Sequence, residues 1–251
     1  MTSANRKIVV VGATSSIAEH CARNWVKAED VDLVLVGRDL QRTERVATDL
    51  RVRSPSSRIQ TMQANFARAD AIADLVRTII TQGLPDVVLI AHGSLPDQDA
   101  CQQSLASACD ALQINGVSPV LFAEAFASPM GQAERGTIAI IGSVAGDRGR
   151  KSNYVYGAAK GLVSRYAEGL QHRFAGTGLR IVLIKPGPTD TPMTAELKAR
   201  DARLAPVEDV ARSIVKRINR GDSVIYVPGK WRWIMLIIRH LPGFIFNKLN
   251  I

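Results

Sequence analysis

The sequence predicts an α/β fold built on a doubly wound, seven-stranded parallel sheet. Three observations carry that expectation. Short β-branched apolar runs alternate with segments of helical apolar spacing along the chain. The runs are nearly all apolar rather than alternating, as in strands covered on both faces. The 251 residues, 46% hydrophobic and 22% charged, supply one substantial core.

The elements follow in order. "KIVVVG" (7–12) is a strand ending in glycine, and "SIAEHCARNWVKA" after it has apolar positions at helical spacing. "VDLVLVGR" (31–38) is the second strand, with a helix over 39–52. "RIQTMQ" is a weaker third strand, then 70–81 a helix. "DVVLIAHG" (86–93) is the fourth, followed by a long helix over 100–128 expected to break near Pro119. "GTIAIIGS" (136–143), a helix over 155–175 and "LRIVLIKPG" (179–187) come next. A helix from Val207 to Asn219 precedes the short strand "SVIYVP" (223–228). No repeat or low-complexity linker divides the chain, so 1–228 reads as one domain and 229–251 as a hydrophobic, basic extension.

The formal charge of +9 suits nucleic acid, anionic lipid or a phosphorylated small molecule. No aromatic–basic stacking surface or recognition-helix motif is present, which sets nucleic acid aside. "MTSANRK" leads into an apolar run too short for a signal peptide or a span, so a cytoplasmic protein is expected. Cys21, Cys101 and Cys109 form no CxxC pair and read as free thiols in a reducing compartment. No metal ligand set is assigned.

Two ends of the sheet carry chemistry. After the first strand, Gly12 and "ATSSIA" form a tight turn into a helix whose first N–H groups make an anion site fit for a pyrophosphate. The second strand ends on Arg38, whose fork suits a ribose 2′-phosphate; the alternatives are a solvated arginine or a pair with Asp39. NADP(H) is therefore favoured, with NAD(H) the alternative. At the other end, Tyr156 and Lys160 stand at i and i+4, on one helical face. A nearby ammonium is expected to lower the phenol's pKa toward use as a proton donor. Ser143 closes the fifth strand at the end where open α/β sheets bind ligands. Asn115, beside a glycine and before Pro119, weakens its helix there and frees backbone groups for a water.

Together these residues resemble the short-chain dehydrogenase/reductase family over nearly the whole chain, which implies a Rossmann-type fold. The family's glycine-rich turn corresponds to "GATSSIA", its Asn, Ser, Tyr and Lys set to Asn115, Ser143, Tyr156 and Lys160, and its Pro-Gly turn to "PGPTDT". "IAHG" stands where the family carries Asn-Asn-Ala-Gly, and Asn65 where it carries an adenine-capping aspartate. The resemblance implies hydride transfer between a nicotinamide and a carbonyl or alcohol, and a homo-oligomer. It implies a cofactor held by Gly12, Thr14, Ser15, Ser16, Ile17, Arg38, Asn65, Ala91, Gly93, Lys160, Pro186, Gly187, Thr189 and Thr191. His92 and Tyr154 are left outside the catalytic set, the first as a structural histidine and the second on another face of its helix.

Two further segments ask for an explanation. Arg148, Arg150 and Lys151 crowd the loop between Ser143 and Tyr156, where they either bind a substrate phosphate or form a solvated basic loop. From Ser223 onward there is no acidic residue, and "KWRWIMLIIRHLPGFIFNK" brackets an apolar run with tryptophans and cations, as at a membrane interface; packing against a partner subunit is the alternative. Both segments are similar to one subgroup, the reductase component of decaprenylphosphoryl-ribose 2′-epimerase, through "NYVYG" and through Arg239, His240, Pro242, Phe246 and Lys248. That resemblance implies a polyprenylphosphoryl 2-keto sugar as substrate, cell-envelope biosynthesis, peripheral contact with the inner face of the membrane and a flavin oxidase partner. A reductase of another ketone or 3-oxoacyl group, and a non-catalytic nucleotide sensor or scaffold, are the competing readings.

Overall fold

The computed structural model describes residues 5–199 and 202–249; the leading "MTSA" and the last two residues of the extension lie outside them. Seven strands form one parallel sheet: β1 (Arg6–Val11), β2 (Val31–Gly37), β3 (Arg58–Gln63), β4 (Val87–Ile90), β5 (Gly136–Ile141), β6 (Leu179–Pro186) and β7 (Val224–Val227). Their order is β3-β2-β1-β4-β5-β6-β7. The order reverses between β1 and β4, and the crevice beyond their carboxyl ends is where such sheets take ligands.

The strands are apolar throughout because both faces are covered. Ile8 and Val10 of β1 join one core with α1 (Ser16–Ala28), α2 (Leu40–Arg53) and residues 207–220, while Val9 and Val11 join a second on the opposite face. The second core is closed by α3 (Ala69–Thr81) and by two long helices further on, through Phe122, Phe126, Val163 and Ala167. Each buried valine, isoleucine, leucine or phenylalanine of these cores contributes about 1.5–3 kcal/mol.

The long helix expected over 100–128 is instead broken twice. It divides into α4 (Gln98–Gln103), α5 (Leu105–Leu112), a π turn over Gln113–Val117 and α6 (Ser118–Gln132). Ser104 ends α4 and caps α5, its hydroxyl accepting from the Ser107 N–H at 3.2 Å. Pro119 stands in the first turn of α6 directly after the π turn, so the irregularity expected near it falls at Gln113–Val117. β4 and β5 also stop short of the expected Gly93 and Ser143. Ala91 and Gly142 still bond to the neighbouring strands, and the chain leaves the sheet after them.

α7 (Tyr154–Arg173), the short α8 (Ala195–Ala199) and α9 (Val207–Arg220) complete the domain. The extension forms α10 (Lys230–His240) and the short α11 (Gly243–Phe246). It is not a separate body: Met235 of α10 is fully buried, and the Trp231 indole lies against Gly187.

Candidate active site

At the carboxyl end of β5, Ser143 turns out of the sheet, its hydroxyl accepting from the Ala145 N–H at 3.1 Å. Tyr156 and Lys160 follow on the first turns of α7, with Lys160 Nζ 5.8 Å from the centre of the Tyr156 ring. Lys160 is almost fully buried and donates to the Ile141 carbonyl at 3.0 Å. Asn115 sits on the π turn, 0% exposed, where the turn's wider winding carries it toward the end of β4. Its Oδ1 accepts from the Ser94 N–H at 2.8 Å and its Nδ2 donates to the Ala111 carbonyl at 2.9 Å. Gly93 joins the two groups: a Cβ there would lie 2.9 Å from Asn115 Oδ1 and 3.6 Å from Lys160 Nζ. The four residues expected to do chemistry thus meet at one place.

Their electrostatics differ from the sequence expectation. Burial pushes the Tyr156 phenol up and the Ser143 hydroxyl pulls it back, in place of the lowering expected from Lys160. Burial also pulls Lys160 down, to about 8. At neutral pH the tyrosine keeps its proton and the lysine its charge. A neutral phenol beside a buried ammonium is poised to give a proton rather than to take one.

His92 is a structural residue, and a well-placed one. Its Nε2 bonds to the Ser118 hydroxyl at 2.9 Å, and its ring packs on Phe66 and Phe122. Burial first, then the charges of Lys160 and Arg38, pull its pKa down to about 3, so it stays neutral.

The nucleotide end is built around Gly12, whose φ of +83° and contact with His92 admit no side chain; a Cβ would lie 2.6 Å from the His92 nitrogen. The turn is tied to the neighbouring strand by the Gly12 and Ala13 N–H groups, which both donate to the Val36 carbonyl. Thr14 is exposed and Ser15, Ser16 and Ile17 are partly so, where the first-turn N–H groups of α1 lack partners within the helix. Arg38 and Asp39 are exposed, but Asp39 serves as the cap of α2, accepting from the Arg42 N–H at 3.0 Å. No ion pair joins Asp39 to Arg38 among the described residues, so the guanidinium faces what lies beside the strand end. Asn65 closes an exposed turn by accepting from the Ala67 N–H at 2.9 Å, and Ala91 continues the sheet by donating to the Val11 carbonyl at 2.8 Å. β6 ends on Pro186, and Gly187 leads on to Thr189, whose hydroxyl donates to the Gly187 carbonyl, and to Thr191, whose N–H donates to the Thr194 hydroxyl. A tight glycine turn, an open helix start and two positions where only glycine fits make a cradle suited to a dinucleotide.

The three loop cations are placed differently from the expectation. Arg148 does not line an anion site: its Nη1 donates to the carbonyls of Ile238 and Leu241, each at 2.6 Å, and its guanidinium stacks 3.8 Å over the Phe246 ring. Arg150 reaches the Met235 sulfur at 3.7 Å and is itself half-buried, with desolvation lowering its pKa. Only Lys151 is exposed. The physical reason lies in α10, whose last carbonyls need donors that its own backbone cannot give.

The sequence reading also passed over Asp147. Its carboxylate is 2% exposed, pairs with Lys185 Nζ at 2.5 Å and accepts from the Tyr226 hydroxyl at 2.9 Å. The signal available was Lys185, a lone charge inside the apolar run of β6, which must find a partner once buried.

The model of the short chain dehydrogenase family matches residues 6–202. An oxidoreductase of Mycobacterium tuberculosis, itself uncharacterised, is 28% identical over 243 residues, covering 96% of each chain. Another from Streptomyces coelicolor is 28% identical over 246 residues, 97% of this chain and 96% of that one. Among solved structures, a short-chain dehydrogenase from Sphingobium yanoikuyae in complex with NADPH superposes with a TM-score of 0.82 at 22% identity, covering 98% of this chain and 96% of that chain. A bulky-bulky ketone specific alcohol dehydrogenase from Comamonas testosteroni gives 0.80 at 21% identity, covering 99% and 96%. With the fold, the residues at the crevice and the family match in agreement, the chain belongs to the short chain dehydrogenase family and is a nicotinamide-dependent oxidoreductase.

Proposed function

We propose that this protein is an NADPH-dependent reductase of a keto group on a membrane-borne substrate, a polyprenylphosphoryl 2-keto sugar being the substrate class that fits best. The observation that carries the chemistry is the meeting of Asn115, Ser143, Tyr156 and Lys160 at the ends of β4 and β5. A nicotinamide bound beside these residues would supply the hydride for the carbonyl carbon. Tyr156 gives its proton to the carbonyl oxygen as charge builds on it, and the Ser143 hydroxyl donates a hydrogen bond to the same oxygen. Lys160 holds the nicotinamide ribose and replenishes the phenol's proton. The π turn carrying Asn115 positions the water through which protons arrive. Gly12 with the first turn of α1 would hold the pyrophosphate, Arg38 the 2′-phosphate, and Pro186, Gly187, Thr189 and Thr191 the nicotinamide amide.

The tail supports the lipid part of the reading. Trp233, Ile237 and Phe244 are 65%, 65% and 72% exposed, a large apolar face with Lys230, Arg232, Arg239 and Lys248 around it. No helix among the described residues is long and apolar enough to cross a membrane, so contact would be peripheral, at the inner face. Sedimentation with vesicles containing anionic lipid tests this; Trp233→Ser with Phe244→Ser should leave the protein in the supernatant, and undiminished binding would remove the tail from the account.

One observation favours a second reading, reduction of a ketone or 3-oxoacyl group with no phosphate nearby: Arg148 and Arg150 are engaged by the tail, leaving Lys151 as the loop's free cation. NADPH oxidation measured against ketosugar phospholipids, soluble ketones and acyl thioesters separates the two. Turnover of the phospholipids supports the first reading, and turnover of soluble substrates alone replaces it with the second. The epimerase reading further requires a flavin oxidase to make the ketosugar, and a homo-oligomer is the expected assembly.

A further inference from the structure

Two loops form the walls of the site, and α10 touches both. At its start, Trp231 lies on Gly187, so close that a Cβ there would be 2.0 Å from the indole Nε1. At its end, the Ile238 and Leu241 carbonyls are held by Arg148 of the loop between Ser143 and Tyr156. Between these ends, Met235, the fully buried residue of the helix, meets Arg150 of that same loop. The loop in turn rests on the catalytic helix: a Cβ at Gly146 would lie 2.6 Å from the Lys160 carbonyl. A continuous chain of contacts therefore runs from the tail through Arg148 and Gly146 to Lys160, with Ser143 and Tyr156 at the loop's two ends.

We infer that α10 is a strap across the mouth of the site, and that Arg148 is a positioning residue which holds the Ser143–Tyr156 loop in its working geometry by clasping the strap's carboxyl end. The inference rests on the catalytic assignment given above and deepens it. It also explains why a loop beside the reacting carbonyl is so basic. Arg148 faces a helix end whose carbonyls carry partial negative charge, and Arg150 reaches the buried Met235 sulfur of the same helix. A neutral side chain at 148 loses the charge that strengthens the bonds to both carbonyls and the attraction to the Phe246 ring face. Seating of the tail, whose outer face is apolar, is then linked to the order of the loop.

The test is hydrogen–deuterium exchange of the full-length protein and of Arg148→Gln, with Arg148→Lys as a milder variant that keeps the charge and loses the fork. Amides of the 144–156 loop and of the last turn of α10 should exchange faster together, by roughly tenfold or more in Arg148→Gln and less in Arg148→Lys, while those of β2 and α2 stay unchanged. Faster exchange confined to the tail, with the loop as protected as in the wild type, would overturn the inference. On a ketone that the wild type reduces, Arg148→Gln should lower kcat while NADPH affinity, read by nucleotide fluorescence, holds; equal losses in both would show a general structural effect. Exchange needs no substrate, so failure of the reductase reading and failure of the strap are told apart.

Discussion

Replacing Asp147 by alanine should remove a large fraction of this protein's stability. The carboxylate and the Lys185 ammonium are 2% and 5% exposed and 2.5 Å apart, and the second carboxylate oxygen takes the Tyr226 hydroxyl. Without Asp147 the ammonium stays buried with no counter-charge, a loss of about 3–5 kcal/mol, where a solvent-exposed pair would lose about 1 kcal/mol at most. For a domain of this size each kcal/mol moves Tm by roughly 2–4 °C, so a drop of about 6–20 °C is expected in a thermal melt followed by circular dichroism. Tyr226 gives a second signal. Burial first, and then Asp147, push its pKa up to about 12, and loss of the carboxylate should bring it back toward 10.0. The double variant Asp147→Leu with Lys185→Met should recover most of the loss, because two apolar side chains owe no desolvation. A single-variant loss near 1 kcal/mol, or a double variant no better than the single one, would refute the reasoning by showing that water reaches the pair.

Other outcomes follow from the same geometry. Tyr156→Phe should lower turnover by about 10²–10⁴-fold, the worth of a positioned proton donor, with NADPH affinity nearly unchanged by fluorescence titration; near-normal rates would remove the tyrosine from its role. Arg38→Ala should weaken NADPH by roughly 10- to 150-fold, the value of hydrogen bonds to a charged group, and leave NADH affinity as it was, measured by calorimetry. The rate of ketone reduction should fall as pH rises through about 8, where Lys160 gives up its proton. Stability should rise over that same range, because the unfolded lysine keeps its proton to about 10.5 while the folded one does not, so the unfolded state binds more protons. A rate flat to pH 10 would rule out the charged lysine as a participant.

Much of the site was legible because its chemistry is local in sequence. Tyr156 and Lys160 share a helical face by spacing alone, Ser143 marks a strand end, and Asn115 beside Gly116 weakens its helix where the structure has a π turn. The cations at 148 and 150 were misread because charge alone does not say what a cation faces. An arginine loop serves a phosphate and a helix's last carbonyls through the same donors. The pKa order was misjudged for a related reason: burial of Tyr156 depends on how the loop and α7 close over it, which spacing does not report.

By itself the sequence determined the order of strands and helices, the covered sheet, the glycine turn at Gly12 and the four polar residues that meet at the crevice, since periodicity and backbone freedom act over a few residues. Tertiary structure alone decided that Asp39 caps a helix, that Asp147 buries against Lys185, and that the tail packs on Gly187 and takes up Arg148. Those outcomes depend on which groups far apart along the chain are left without water or partners once the core has closed, and that is settled only in three dimensions.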